Sequence, residues 1–278
     1  MKKPEKTIKQ TIGEMCLYWN VSYAHELKTI RQFKKMITDL DRAMLTQITP
    51  DGLMRLYIRL RNESKGTDES VSRQFDYVRR VFKYAHAQGY IRLNPCQLLR
   101  LPKCKRGKIV SLTKEELTII ENAKPVSMAQ QRVRDWFLFQ CYTGLAFSDF
   151  KYFDKRSVTL LHGKMYVAGT RRKTGTEFIF PLTAKALALA VKYNYHFACG
   201  CIQKYNMGLK KLQLNVEIAT VLTTHVARRT FGQLMIDDGV PLETVSRMLG
   251  HSTTSMTERS YARVGLSRVV RDMQRMAA

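Results

Sequence analysis

Apolar residues recur at helical spacing through the first hundred residues of the chain. The clearest run lies between residues 68 and 89, where apolar positions return every three or four residues and predict one amphipathic helix. Its stripe consists of Val71, Phe75, Val78, Phe82 and Ala85. The same period predicts further helices near residues 7–19, 22–40 and 50–62. We therefore expect a small helical bundle at this end of the chain.

The period changes in the second half of the chain. Thr113 and Glu116 form a capping box that predicts a helix through Glu121, and another helix is predicted over residues 128–142. Short strands are predicted at residues 157–161, 164–168 and 177–180, separated by the turns His162-Gly163 and Lys173-Thr174-Gly175. Helices are predicted again from residue 183 onward. The predicted fold class is therefore mainly α, with an α+β second half that has a small three-stranded antiparallel sheet.

Basic residues are concentrated between the helical first part of the chain and the mixed second part. Between residues 77 and 114 the chain has ten Lys and Arg residues and no Asp or Glu. Pro95, Pro102 and Gly107 interrupt the apolar period in this stretch, as is typical of linkers. We predict a helical domain over residues 1–104, a basic linker over 105–110 and a second domain over 111–278. Such a linker suits contact with a phosphate backbone, although a merely solvated connector has the same composition.

The whole chain is strongly basic. Its 278 residues include 47 Lys and Arg against 23 Asp and Glu, a net charge of +24, while 45% of the residues are hydrophobic. The apolar residues suffice for packed cores, and the charge predicts a polyanionic partner, double-stranded DNA before a membrane surface. No apolar run reaches the roughly 18–20 residues of a spanning helix. Because no signal peptide is recognisable either, we expect the protein in the cytoplasm, with the nucleoid.

Basic side chains supply the candidate contacts with DNA. On the predicted helix over residues 68–89, Arg73, Arg80 and Lys83 lie away from the apolar stripe. The other candidates lie in the linker and in the second turn of the sheet: Lys103, Lys105, Arg106, Arg171 and Arg172. Contacts of this kind bind the phosphate backbone without reading base sequence.

Motifs for metals and nucleotides are missing from the sequence. The six cysteines form no CxxC pair, so neither a zinc site nor a disulfide framework is indicated. The sequence also contains no Walker-type phosphate loop, no HExxH motif and no acidic calcium loop. We expect chemistry without ATP, metal or another cofactor.

Histidine, arginine and tyrosine occur in a particular order near the C-terminal end. His225 and Arg228 follow Thr223-Thr224, a good N-cap pair, so both are predicted in the first turn of a helix and on one face. Donors at a helix start suit a phosphate group. Leu249-Gly250-His251 ends a later helix, and Tyr261 follows ten residues after His251.

In this order the residues resemble the tyrosine recombinases, the phage integrase family. The family pattern is HxxR near a helix start, then LGH, then a nucleophilic tyrosine, all after a β-hairpin that carries a lysine, here Lys173. The resemblance covers the whole second domain and, more loosely, the first, whose ending Gly89-Tyr-Ile-Arg-Leu-Asn-Pro95 is similar to that of a core-binding domain. It implies a helical core-binding domain followed by a catalytic domain.

The resemblance also implies an activity. Such an enzyme is a site-specific recombinase that cleaves and rejoins DNA through a 3′-phosphotyrosine, for integration, excision or inversion. Tyr261 would attack the scissile phosphorus, Arg228 would hold its nonbridging oxygens and His251 would donate a further hydrogen bond. Lys173 would protonate the departing 5′-oxygen. His225 would accept the proton of Tyr261 or bind the phosphate.

The chain departs from the family in the phosphate clamp. Most members have an arginine where Thr143-Gly-Leu-Ala146 ends in alanine, whereas small integrases of Bacteroides-type mobile elements are similar to this chain here; Asp149 matches the family's acidic residue. Basic residues that could replace the lost arginine are Arg132, Arg134, Lys151 and Arg229. The alanine leaves open a DNA-binding protein of the same fold with impaired chemistry. A type IB topoisomerase-like enzyme is the second alternative.

The end of the chain has an apolar stripe at helical spacing. Its members are Leu266, Val269, Val270, Met273 and Met276. By resemblance, such a tail helix docks into the neighbouring protomer of a homotetramer on DNA, and packing within its own protomer is the alternative.

Overall fold

The computed structural model describes residues 5–39, 41–64, 68–101 and 109–261, without the side chains of residues 259–261. The chain divides into two compact units, Met1–Lys108 and Ile109–Ala278. Three of the predicted DNA contacts, Lys103, Lys105 and Arg106, lie outside the described residues, as does the apolar tail stripe. The predicted linker over residues 105–110 and the roles of the two domains therefore stay predictions.

The first unit is helical. Its helices are α1 (Ile8–Tyr18), α2 (Tyr23–Lys34), α3 (Pro50–Glu63) and α4 (Asp68–Ala87), with 3-10 turns at Leu45–Gln47 and Pro95–Leu98. Local signals explain their starts: a capping box of Thr7 and Gln10 begins α1, and Thr49 caps α3, which has proline at its first position. The predicted stripe of α4 is buried in the core of this unit, as expected.

One predicted helix is too long. The apolar period predicts a helix over residues 22–40, but α2 ends at Lys34, and its C-cap is Lys35. Met36 and Ile37 still pack against the core from a turn. Two partly buried apolar residues outside the helix therefore extended the apparent period.

The second unit combines helices with one small sheet. It begins with α5 (Lys114–Asn122), α6 (Met128–Thr143) and α7 (Phe147–Lys151), followed by a 3-10 turn at Lys155–Ser157. The strands β1 (Val158–Leu161), β2 (Lys164–Thr170) and β3 (Glu177–Pro181) form an antiparallel sheet in that order. Five helices follow: α8 (Ala184–Lys192), α9 (Ile202–Val216), α10 (Thr224–Asp237), α11 (Leu242–Leu249) and α12 (Thr254–Tyr261).

The sheet is two hairpins with a fixed register. Val167 in the middle of β2 pairs with Val158 on one side and with Phe180 on the other. His162 and Gly163 both have positive φ, 48° and 73°, which is the backbone of a type I′ hairpin turn. Phe178 and Phe180 point into the core because strand residues alternate between faces.

Helix α6 lies at the centre of this second core. It packs against α8, α9 and α10, and β3 packs against α11. Phe139 of α6 meets the rings of Phe150 and Phe197, at centroid distances of 6.1 and 4.5 Å. This packing brings the end of α6, the start of α10, the end of α11 and the β2–β3 turn to one place.

The described ranges lack two kinds of feature. None of the helices there is long and apolar enough to cross a membrane. Within the same residues, no three His, Cys, Asp or Glu side chains are grouped so as to hold a metal ion. The five cysteines among them are free thiols.

Candidate active site

Arg228 is fixed between two chain segments. It lies one turn into α10, a helix capped by the Thr223 side chain, and only 9% of the residue is exposed. Its guanidinium donates from Nη1 to the carbonyl oxygen of Gly144, at 2.6 Å, and from Nη2 to that of Leu249. The end of α6 and the end of α11 therefore set where this cation lies.

Arg171 reaches the same carbonyl from the sheet. Its Nη1 donates to the oxygen of Leu249 at 3.0 Å, so two guanidinium groups share one acceptor. Its Nε lies 2.7 Å from Oδ2 of Asp149 in an ion pair whose side chains are only 11% and 4% exposed. The other oxygen of Asp149 accepts the backbone N–H of Arg172, at 3.0 Å. Asp149 therefore attaches the β2–β3 turn to α7.

His251 connects this cluster with the last described helix. Its Nδ1 lies 2.7 Å from the hydroxyl oxygen of Thr257, a fully buried residue of α12. Burial, together with the positive charges of Arg228 and Arg171, lowers the pKa of His251 to about 4. The imidazole is neutral at pH 7 in the free protein.

Tyr261 is the last residue of α12. It follows Thr257 by four positions, so the helical backbone places the two positions on the same face. Because Thr257 is buried against His251, this face of α12 is the one turned towards the cluster. The backbone thus brings position 261 to the same side as His251.

His225 and Lys173 lie at the surface of the cluster. His225 is exposed, yet partial desolvation lowers its pKa, and so do the charges of Arg229, Arg228, Lys173 and Arg171, in that order. Lys173 is exposed in the β2–β3 turn. The imidazoles of His225 and His251 therefore both lie in the positive potential of several cations. Such an environment attracts an anion.

The chain is similar in sequence to known proteins. Residues 201–267 match the phage integrase family. The chain is 23% identical over 259 residues to tyrosine recombinase XerD of Lacticaseibacillus casei, with 86% of this chain and 85% of that protein covered. It is 24% identical over 227 residues to tyrosine recombinase XerC of Oceanobacillus iheyensis, with 74% and 73% covered. These matches support a tyrosine recombinase.

Solved structures of two integrases share the fold. The Tn1549 transposon integrase in complex with transposon right end DNA has a TM-score of 0.70 at 16% identity, covering 98% of this chain and 100% of that one. A lambda integrase dimer bound to a COC' core site has a TM-score of 0.72 at 15% identity, covering 94% and 97%. At such low identities the likeness establishes the fold, and the predicted fold class is confirmed.

The four basic residues that the sequence offered as substitutes for an arginine at position 146 lie at several places. Arg134 donates to Asp135 and to the Ala123 carbonyl, and Arg132 is exposed. Both belong to the first half of α6, away from its end at Gly144. Lys151 lies 5.5 Å from the Tyr152 ring. Arg229 acts on the pKa of His225.

The sequence did not indicate the place of two residues of the cluster. Arg171 was predicted as a contact to the DNA backbone, and Thr257 was not singled out. One sequence signal could have indicated the place of Arg171. It lies two residues before Lys173, in the same turn, and the acidic Asp149 needs a basic partner.

The remaining predicted DNA contacts lie at the surface. On α4, Arg73 pairs with Glu69 at 2.8 Å, Arg80 lies 5.8 Å from the Tyr77 ring, and Lys83 is exposed. In the second unit, Arg172 lies 3.9 Å over the ring of Tyr152. Their contact with DNA stays a prediction.

Proposed function

We propose that this chain is a site-specific DNA recombinase of the tyrosine class. In the reaction the phenol oxygen of Tyr261 attacks the scissile phosphorus, and the bond from phosphorus to the 5′-oxygen breaks. A 3′-phosphotyrosine forms, and a free 5′-hydroxyl leaves. When that hydroxyl, or the one from another strand, attacks the phosphotyrosine, the strand is joined and the tyrosine is released.

The observation that carries this proposal is the convergence of Arg228, Arg171 and His251 beside the helix that ends at Tyr261. A phosphoryl transfer develops charge on nonbridging oxygens, and fixed donors in a water-poor site stabilise it. Arg228 is buried and held by two carbonyls, so its fork is ordered before DNA arrives. The bonds broken and formed are of the same kind, which removes the need for ATP.

The two histidines suit different tasks. A lowered pKa keeps His225 neutral at pH 7, and a neutral imidazole accepts the phenol proton of Tyr261. His251 is neutral as well and turns Nδ1 to Thr257, which leaves Nε2 as its donor to phosphate. Lys173, exposed at the hairpin turn, delivers the proton to the departing 5′-oxygen.

Assembly on DNA is part of the proposal. A lambda integrase tetramer bound to a Holliday junction has a TM-score of 0.69 to this chain. We extend that arrangement to this chain, as a homotetramer on double-stranded DNA connected through the C-terminal stripe. The strong positive charge supports a nucleoid location in the cytoplasm.

A nicked suicide duplex carrying the protein's own site tests the chemistry. Loss of the short strand after cleavage prevents rejoining, so the wild type accumulates a covalent adduct that denaturing gels resolve. We expect no adduct from Tyr261→Phe, which keeps the ring and removes only the nucleophilic oxygen. An adduct that survives this substitution would show that another residue is the nucleophile.

Ala146 favours a second candidate function, DNA binding without efficient cleavage. We propose that the chain belongs with the small Bacteroides-type integrases, which its Thr143-Gly-Leu-Ala146 resembles. Specific binding of the site without any wild-type adduct would establish the binding-only function. Relaxation of a one-site plasmid without recombination between two sites would instead indicate a topoisomerase-like enzyme.

A further inference from the structure

The chain has Ala146 where most tyrosine recombinases have an arginine that binds the scissile phosphate. A second phosphate-binding cation is therefore not supplied from position 146. Ala146 is the N-cap of α7, and Asp149 follows in the first turn of that helix. The side chain of an N-cap residue lies beside the residue three positions later, as in a capping box. The carboxylate of Asp149 therefore marks the side of α7 that a longer side chain at position 146 would share.

A guanidinium group already lies at this place, supplied by another element. Arg171 pairs with Asp149 at 2.7 Å and shares the Leu249 carbonyl with Arg228. We propose that Arg171 is the second phosphate-binding arginine of the site and a catalytic residue, taking the part that Ala146 does not supply. This inference rests on the proposed recombinase function.

The donors of Arg171 fit this task. A guanidinium has five N–H donors, and of these one makes a hydrogen bond to the described residues, from Nη1 to Leu249. Its Nε is buried and close to Asp149, but the angle there does not give a hydrogen bond, and none of the described residues accepts its proton. Unused donors beside Arg228 suit the nonbridging oxygens of a phosphodiester.

The stem of Arg171 is held in place by Gly250. A Cβ built on Gly250 would lie 2.8 Å from Cγ and 3.2 Å from Cδ of Arg171, so only glycine leaves room for this side chain. The ion pair with Asp149 adds a second attachment. A cation fixed in this way needs little reorganisation when charge develops on the phosphate.

Single-turnover cleavage of the suicide duplex at saturating protein tests the proposal. We expect Arg171→Gln to slow adduct formation about 100- to 1,000-fold, the usual effect of removing one fixed donor. The matched control is Arg247→Gln, because Arg247 is a nearby arginine that joins α11 to β3 through Glu177, at 2.9 Å. Its pair is exposed, so we expect a change within about threefold.

A double variant separates catalysis from structure. Arg171→Gln alone leaves Asp149 without its cation, whereas Asp149→Asn with Arg171→Gln removes both charges and keeps an oxygen for the Arg172 N–H. Arg171 as a phosphate ligand predicts that the double variant stays slow. Recovery of the double variant to near wild-type rate would assign Arg171 a structural role only and overturn the proposal.

A rescue variant and a modified substrate complete the test. Ala146→Arg supplies a guanidinium from α7, and we expect it to restore much of the cleavage that Arg171→Gln loses. A duplex whose scissile phosphate is a methylphosphonate lacks one charged nonbridging oxygen, so the deficit of Arg171→Gln should shrink on it. An equal deficit on both duplexes would contradict the proposal.

The result for the wild type distinguishes failure of the recombinase function from failure of the role assigned to Arg171. If the wild type forms no adduct with its own site, the recombinase function fails. If it forms the adduct and Arg171→Gln does so within about threefold of that rate, the function stands and the assignment of Arg171 is wrong.

Discussion

Gly250 combines two demands that only glycine meets at once. Its φ is +60°, in the left-handed region where a Cβ costs about 1–2 kcal/mol. Its missing Cβ also admits the stem of Arg171. The middle residue of Leu249-Gly250-His251 therefore ends α11 and shapes the site through one property, the absence of a side chain.

Gly200 separates these two demands experimentally. It has the same φ of +60° but nothing within 4 Å of a built Cβ. We expect Gly200→Ala to lower the free energy of unfolding by about 1–2 kcal/mol, with unchanged cleavage. We expect Gly250→Ala to cost about 1–3 kcal/mol more, from overpacking, and to slow cleavage because Arg171 must move.

Urea unfolding and suicide-substrate kinetics on both variants give the comparison. Equal losses in stability and equal cleavage rates for Gly200→Ala and Gly250→Ala would mean that the approach of Arg171 to Gly250 has no effect.

Helix α12 is attached to the site mainly by its buried face. Thr257 is fully buried and meets Nδ1 of His251, while residues before it in the helix are exposed. This contact fixes the orientation of the imidazole and the rotation of the helix together. The backbone position of Tyr261, the proposed nucleophile, therefore depends on a residue that has no part in the proposed reaction.

Replacing Thr257 with valine tests this attachment. Valine keeps the shape and leaves the ring nitrogen of His251 without its partner, a loss of about 1–3 kcal/mol. We expect faster hydrogen exchange in α12 and cleavage slowed by about tenfold or more. Ser255→Ala, at an exposed position of the same helix, is the control. Unchanged exchange in Thr257→Val would contradict this role of the contact.

Elements with local signals could be predicted from the sequence. The capping box at Thr113 and the His162-Gly163 turn were both predicted and are present, because a cap or turn depends on residues within a few positions. Helix α7 was missed, since five residues are too few to show a period. The Arg171 contacts depend on Asp149 and Leu249, which are distant in sequence, so no local pattern reveals them.

The charge of the protein as a whole governs its affinity for DNA. With 47 Lys and Arg residues, many phosphates can be neutralised, and each contact releases condensed counterions. Basic residues already engaged by acidic partners contribute less to such binding. Lys185, for example, lies 2.9 and 2.7 Å from the two carboxylate oxygens of Glu121.

Salt titrations of DNA binding distinguish a lysine that contacts phosphate from a lysine that is paired with a carboxylate. We expect Lys83→Gln, at an exposed site of α4, to flatten the plot of log K against log salt by about one unit of slope. Lys185→Gln should leave the slope unchanged. If Lys83→Gln behaves like Lys185→Gln, then this face of α4 does not contact phosphate.

The oxygen that joins the two arginines belongs to the main chain. Because every amino acid at position 249 carries the same carbonyl, replacing the leucine side chain cannot delete the acceptor that spaces Arg171 from Arg228. Most point mutations at position 249 therefore leave the distance between Arg171 and Arg228 unchanged. A substitution at position 249 can shift this oxygen only by changing the path of the backbone, which turns at the adjoining Gly250 with a φ of +60°.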